Sequence, residues 1–189
     1  MDPLLLILDL DNTLIYTCEK PLSRSADFVF GEYHIYMRPG LEAFLEACRR
    51  QFRVAVWTSA TSSYAGCVIS HLFPPGYDLE FVWTRGRCTP RYNAETRELE
   101  YLKDLKKVRR SGYRLERVLI VDDSPNVLQR SYGNVISVKP FTGSVDDAEL
   151  ETLLPYLEKL SQLENVRAAE KRNWRGVIRG QELFRNANK

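Results

Sequence analysis

Leu4-Leu5-Leu6-Ile7-Leu8-Asp9-Leu10-Asp11-Asn12-Thr13-Leu14 joins five aliphatic residues to two acids spaced two positions apart. An unbroken aliphatic run of this length marks a strand buried on both faces, the pattern of parallel sheets. Residues i and i+2 of an extended backbone stand on the same side, so Asp9 and Asp11 share a face. Like charges that close disfavour each other's ionised form unless a cation neutralises them. The carboxyl end of a parallel strand is also where open α/β sheets bind ligands. The competing reading is a plain turn, since Asp and Asn are common turn formers.

Two further runs have the same design. Val54-Ala55-Val56-Trp57 ends in Thr58-Ser59-Ala60, and Arg117-Val118-Leu119-Ile120-Val121 ends in Asp122-Asp123-Ser124-Pro125. Leu79-Glu80-Phe81-Val82-Trp83 and Val135-Ile136-Ser137-Val138 read as additional strands. Helical spacing lies between them: Leu41, Phe44, Leu45 and Cys48, then 62–72 stopped by Pro74-Pro75-Gly76, then a segment beginning at Lys103, and finally 146–163 with Pro155 as a kink or restart. Alternating strands and helices predict an α/β fold, a Rossmann-like parallel sheet flanked by helices. Residues 15–37 read as irregular or hairpin-like, with short strands at Asp27–Phe30 and Tyr33–Tyr36. Residues 74–101 suit a small β insertion with a turn at Asn93-Ala94-Glu95-Thr96. The expected organisation is one domain over 1–163, followed by a basic extension over 164–189, helical or partly docked.

Composition narrows the class. At 189 residues, with 44% hydrophobic and 28% charged residues, the chain is ordinary for a globular protein. A net charge of +2 gives no global field for nucleic acid, and no specific nucleic-acid binding is expected. The cations are uneven, however. Lys103, Lys106, Lys107, Arg109, Arg110, Arg114 and Arg117 form one cluster, and Arg167, Lys171, Arg172, Arg175, Arg179 and Arg185 another. Each reads first as a solvated helix face and second as a surface for an acidic or phosphorylated partner. Cys18, Cys48, Cys67 and Cys88 have no metal-site or disulfide spacing, and Cys48 and Cys67 fall in apolar stretches that suit the core. The first apolar run is too short for a signal peptide or a membrane span, so the cytoplasm is the expected location and no membrane partner is expected. His34 and His71 have no partner motif, Trp57 and Trp83 read as core, and Trp174 reads as either a partner contact or a docked side chain.

Neighbouring parallel strands would bring Asp9, Asp11 and Thr13, Thr58 and Ser59, and Asp122 and Asp123 into one crevice, with Lys103 supplying a positive charge. Carboxylates, a hydroxyl and a lysine are what aspartate-based phosphoryl transfer requires. One carboxylate attacks phosphorus and becomes an aspartyl-phosphate, which divides one hard step into two. A magnesium ion, well matched to hard oxygen ligands, removes the repulsion between the two anions. A hydroxyl and a lysine hold the phosphoryl oxygens. A second carboxylate, here Asp11, protonates the leaving oxygen and then activates water.

With these segments in view, the chain resembles the haloacid dehalogenase superfamily. Within it, the likeness is to the branch of RNA polymerase II C-terminal-domain phosphatases and small C-terminal-domain phosphatases. Asp9-Leu10-Asp11-Asn12-Thr13-Leu14, Arg38-Pro39-Gly40, Trp57-Thr58-Ser59-Ala60, Tyr101-Leu102-Lys103-Asp104-Leu105 and Val121-Asp122-Asp123-Ser124-Pro125 match in the family's order, over roughly residues 4–145. The resemblance implies Asp9 as nucleophile, Asp11 as general acid/base, Thr58 on the phosphoryl group and Lys103 stabilising its charge. It also implies substrate contacts from Leu10, Asp11, Thr58, Ser59 and Lys103. Magnesium would be held by Asp9, the Asp11 backbone carbonyl and Asp123, with Asp122 either a further ligand or the residue that orients Lys103. Asp122-Asp123 departs from the Asp-Asn often found at this pair. Lys106 competes for the lysine role, Thr13 reads as loop support, and Arg38 reads as shaping the site entrance or pairing with a carboxylate. Residues 15–37 are too few for a helical cap domain, and an open crevice favours a phosphorylated protein or peptide (Ser/Thr or Tyr) as substrate. A small-metabolite phosphatase and a non-catalytic binding scaffold are the alternatives.

Overall fold

A computed structural model describes residues 3–95, 97–124, 132–180 and 183. Thr96 of the expected turn, Pro125 of the fifth motif and Arg185 of the second basic cluster lie outside them. The aliphatic runs form one parallel sheet of five strands. These are β1 (Leu4–Leu8), β5 (Phe52–Trp57), β6 (Leu79–Trp83), β9 (Val118–Asp122) and β10 (Val135–Ser137), in the order β10-β9-β1-β5-β6. β1 lies at the centre, aligned with β5 from Leu4↔Phe52 to Leu8↔Val56 and with β9 from Leu5↔Val118 to Leu8↔Val121. All five of its residues are buried, as a strand covered on both faces must be.

The two faces carry different layers. Leu4, Leu6 and Leu8 point into the larger core with Val54, Val56, Leu119 and Val121. Helices α1 (Leu41–Gln51), α2 (Ser62–Leu72), α4 (Glu149–Ser161) and α5 (Trp174–Ile178) cover that side through residues such as Phe44, Val68, Leu157 and Val177. Leu5 and Ile7 face the smaller core of Ala55, Trp57, Val118, Ile120, Cys88, Leu105 and Val108, the last from α3 (Lys106–Arg110).

Four details differ from the sequence reading. Residues 15–37 are ordered as an antiparallel sheet of β2 (Ile15–Cys18), β4 (Tyr33–Met37) and β3 (Phe28–Phe30), so β2 joins the two strands that were expected. Leu79–Trp83 belongs to the main sheet, and the insertion is only the hairpin of β7 (Thr89–Asn93) and β8 (Glu98–Leu102). Helix α4 runs through Pro155 without restarting; Pro155 is exposed, while Leu150, Leu153, Tyr156, Leu157 and Leu160 hold the opposite stripe in the core. Cys67 is only half-buried, unlike Cys48.

The described part of the segment after residue 163 docks closely. Val166, Ala169, Trp174 and Val177 are part of the larger core, and Trp174 donates its indole N–H to the Ser137 carbonyl at 2.8 Å. Lys171 of the second basic cluster is buried, not a solvated cation. Among the described residues, no helix is long and apolar enough to cross a membrane.

Candidate active site

The carboxyl ends of β1, β5 and β9 adjoin because these strands are neighbours in register, and this places the polar triggers of three distant segments together. The chain leaves β1 through a tight turn. The Leu10 carbonyl accepts from the amides of Thr13, Leu14 and Ile15 at 3.2, 2.8 and 3.1 Å. Asn12 has φ of 56°, a left-handed conformation that Asn tolerates better than most residues. The Leu10 side chain is fully buried in the core, so only its main chain can meet a substrate.

Asp9 is the hub. Its Oδ1 accepts from Lys103 Nζ at 2.5 Å, and the same ammonium donates to Asp122 Oδ2 at 2.6 Å. Lys103 follows β8 directly and is 3% exposed, whereas Lys106 lies outside on α3. Of the two lysines, Lys103 is the one in contact with Asp9 and Asp122. Thr13 Oγ1 stands 3.2 Å from Asp9 Oδ2 and 3.3 Å from Asp123 Oδ1, donating to this pair, and accepts the Asp123 amide at 3.1 Å. Thr13 therefore ties the loop after β1 to the loop after β9. Asp122 uses its other oxygen, Oδ1, to accept the Ser124 amide at 2.8 Å, so both of its oxygens are engaged by the protein. Asp123 is only half-buried.

Thr58 is buried at the end of β5, with its hydroxyl accepting the Ala60 amide at 3.0 Å. Its neighbour Ser59 is exposed, and the Ser59 carbonyl accepts from Arg85 Nε at 2.8 Å. Asp11 faces a different partner: Tyr64, on the first turn of α2, donates its hydroxyl to Asp11 Oδ1 at 2.6 Å. The sequence reading missed Tyr64. The available signal was its place six residues beyond Thr58, on the helix that follows the second trigger.

Arg38 resolves to the carboxylate partner. It clamps Asp147 with Nε at 2.7 Å and Nη2 at 2.9 Å, and donates to the carbonyls of Thr13 and Lys139, both at 2.9 Å. The turn that carries Asp11 is thus braced from behind, where the Asn12 carbonyl also accepts the Phe141 amide at 2.6 Å.

Electrostatics follow from burial. Loss of water, opposed by Lys103 and reinforced by Asp122, leaves the Asp9 carboxyl raised to about 7. Burial also raises Asp11 against the Tyr64 hydrogen bond, and raises Asp123 with help from the Asp122 charge. Burial would lower Lys103, but Asp122 and Asp9 together outweigh it and hold its ammonium form above the ordinary lysine range. The crevice therefore concentrates more negative charge than its one buried lysine balances. Asp9, Asp122 and Asp123 each offer an oxygen, all within 4.8 Å of one another, a hard-oxygen donor set that fits a small divalent cation. An anionic nucleophile, a second acid two residues on, a lysine and a hydroxyl can together carry out displacement at an electrophilic centre bearing negative oxygens.

Comparison with known proteins supplies a family and a fold likeness. The model of the NLI interacting factor-like phosphatase family matches residues 4–167. A probable C-terminal domain small phosphatase of Dictyostelium discoideum is 30% identical over 170 residues, covering 86% of this chain and 52% of the relative. The human carboxy-terminal domain RNA polymerase II polypeptide A small phosphatase 1 is 29% identical over 174 residues, covering 87% of this chain and 62% of the relative. The chain thus spans between half and two thirds of the length of these two relatives. Among solved structures, that of Fcp1, an essential RNA polymerase II CTD phosphatase, superposes with a TM-score of 0.58 at 19% identity over 94% of this chain and 61% of that one, a likeness of fold.

Proposed function

The chain belongs to the NLI interacting factor-like phosphatase family, and from that premise we propose that it hydrolyses phosphomonoesters on proteins through a phosphorylated Asp9. The observation that carries the reading is Asp9, held at the end of the central strand between Lys103 and Thr13, with Asp11 two residues on. In the first step an Asp9 oxygen bonds to phosphorus while the ester bond breaks, and the departing oxygen takes a proton from Asp11. In the second, water attacks the phosphorus of the aspartyl-phosphate, gives its proton to Asp11, and phosphate leaves with Asp9 restored. Lys103 and the Thr58 hydroxyl receive the phosphoryl oxygens. Asp9, Asp123 and the Asp11 carbonyl would hold magnesium, which would supply the positive charge that lets two anions approach. Asp122, with one oxygen on Lys103 and the other on the Ser124 amide, orients the lysine.

A protein substrate is favoured because the two insertions are small β elements, a three-stranded sheet over 15–37 and a hairpin over 89–102, and neither is a helical cap. The names of the relatives point the same way. Retention of both Asp9 and Asp11 argues against a purely binding role. The test is turnover by the purified protein with magnesium on phosphoserine, phosphothreonine and phosphotyrosine peptides against sugar and nucleotide phosphates. A preference for peptides, lost in Asp9→Asn, is expected; a preference for the metabolites overturns the substrate class, and undiminished turnover in Asp9→Asn overturns the nucleophile.

A further inference from the structure

Asp11 does not stand alone in the crevice. Tyr64 OH donates to Asp11 Oδ1 at 2.6 Å, and the same phenolic oxygen lies 2.6 Å from Thr17 Oγ1 on β2. A phenol has one hydrogen. With that hydrogen committed to Asp11, Thr17 must donate to Tyr64, and the chain runs Thr17→Tyr64→Asp11 in one direction. Phe30 of β3 meets the Tyr64 ring edge-on at a centroid distance of 5.6 Å, which fixes the ring as well as the hydroxyl. Three elements, β2, β3 and α2, therefore converge on one oxygen of one carboxylate.

We propose that Tyr64 is the positioning residue for the acid/base carboxylate. In this assignment it occupies Asp11 Oδ1, so that the proton given to the leaving oxygen, and later taken from water, is carried on Oδ2. The assignment rests on the phosphatase reading above and deepens it. It gives the sheet over 15–37 a part in the chemistry, because Thr17 sets the direction of the chain and Phe30 sets the ring. A carboxyl free to rotate would present its proton-bearing oxygen to the ester only part of the time. One held by a directed hydrogen bond presents it in every encounter.

The reaction supplies a readout that packing alone does not move. A general acid matters most when the leaving group is a poor one, so disturbing it steepens the dependence of rate on leaving-group basicity. The experiment measures kcat/KM, which reports the transfer to Asp9, for a series of substituted phenyl phosphates from 4-nitrophenyl phosphate to phenyl phosphate. The proteins compared are wild type, Tyr64→Phe, Thr17→Val, Asp11→Asn and the double variant Tyr64→Phe/Asp11→Asn. Tyr64→Phe is expected to lose roughly tenfold or more on phenyl phosphate and much less on the nitro compound. Thr17→Val should show the same tilt in weaker form. In the Asp11→Asn background, Tyr64→Phe should add nothing. An equal loss across the series, or full additivity with Asp11→Asn, makes Tyr64 a packing residue and overturns the assignment. Unchanged kinetics in Tyr64→Phe overturn this inference while leaving the phosphatase reading intact. A wild-type protein that turns over none of the series removes that reading and this assignment with it.

Discussion

Replacing Lys103 with Met removes the one ammonium shared by Asp9 and Asp122 while keeping most of the side-chain volume. Both contacts, at 2.5 and 2.6 Å, are buried, so water is a poor replacement for the lost charge. Removing one member of a buried ion pair costs about 3–5 kcal/mol, because the remaining charge is left uncompensated. For a chain of this size that corresponds to a fall in Tm of roughly 6–20 °C. The loss has a definite pH dependence. Asp9 is raised to about 7 with Lys103 present, and Lys103 is the main influence holding it down. In Lys103→Met its folded value rises further. A carboxyl raised in the folded state binds its proton more tightly there than in the unfolded chain, so it supports the fold at low pH. That support is lost as pH climbs from the ordinary carboxylate value through the folded one. At pH 5 Asp9 is largely protonated in both proteins, and only the contact with Asp122 separates them. At pH 8 wild type holds an ionised, paired Asp9 and the variant an unpaired one. Urea unfolding with a chelator present at the two pH values measures the difference. A deficit that is the same at pH 5 and pH 8, or absent at pH 8, would refute the placement of Lys103 between two buried carboxylates.

Three other outcomes follow from the same arrangement. Asp9→Asn should abolish turnover and yet stabilise the metal-free protein at pH 8 by at most about 4 kcal/mol, since a rise from 3.8 to about 7 is about three pH units of unfavourable ionisation; thermal melts should show a clearly smaller gain at pH 5 than at pH 8, because only part of the window between the two values has been crossed there. On the proposed ligand role of Asp9, magnesium would have to displace the Asp9 proton, so its affinity should fall as pH drops below about 7; a thermal-shift titration giving equal affinities at pH 6 and pH 8 would contradict that role. Arg38→Ala should lose about 3–5 kcal/mol in urea unfolding together with activity, because Asp147, the Thr13 carbonyl and the Lys139 carbonyl lose one shared donor. Burial raises Asp147, but the hydrogen bonds from Arg38 and the Glu149 amide outweigh it and hold the carboxyl below its usual range. The advantage of wild type over Arg38→Ala should therefore be present above the ordinary carboxylate value and shrink in more acidic solution.

What the sequence disclosed depended on how each signal is encoded. β1, β5 and β9 were legible because strands covered on both faces are written as unbroken aliphatic runs, and their polar ends named Asp9, Thr58 and Asp122 directly. β6 was harder to place, since an edge strand with partly exposed residues such as Glu80 and Val82 reads like part of a hairpin insertion. β2 escaped notice because four residues following a turn carry too little periodicity. Lys103 was reached through its resemblance to a family motif, since nothing local distinguishes a buried lysine from the exposed Lys106 three residues on. The Arg38–Asp147 and Tyr64–Asp11 contacts join residues 109 and 53 positions apart, and no local pattern records such partners. Pro155 suggested a restart that does not occur, because it lies on the exposed face of α4 while an apolar stripe holds the helix in the core.

The chain's three tryptophans are all buried, and the sheet lies between them. Trp57 and Trp83 meet edge-on at 5.0 Å in the smaller core, while Trp174 is seated in the larger one beneath β10. Fluorescence therefore offers two independent vantage points. A variant with Phe at positions 57 and 83 would glow only from the helix-rich layer, and one with Phe at 174 only from the side that backs Thr58, so the melting of each side could be watched apart from the other.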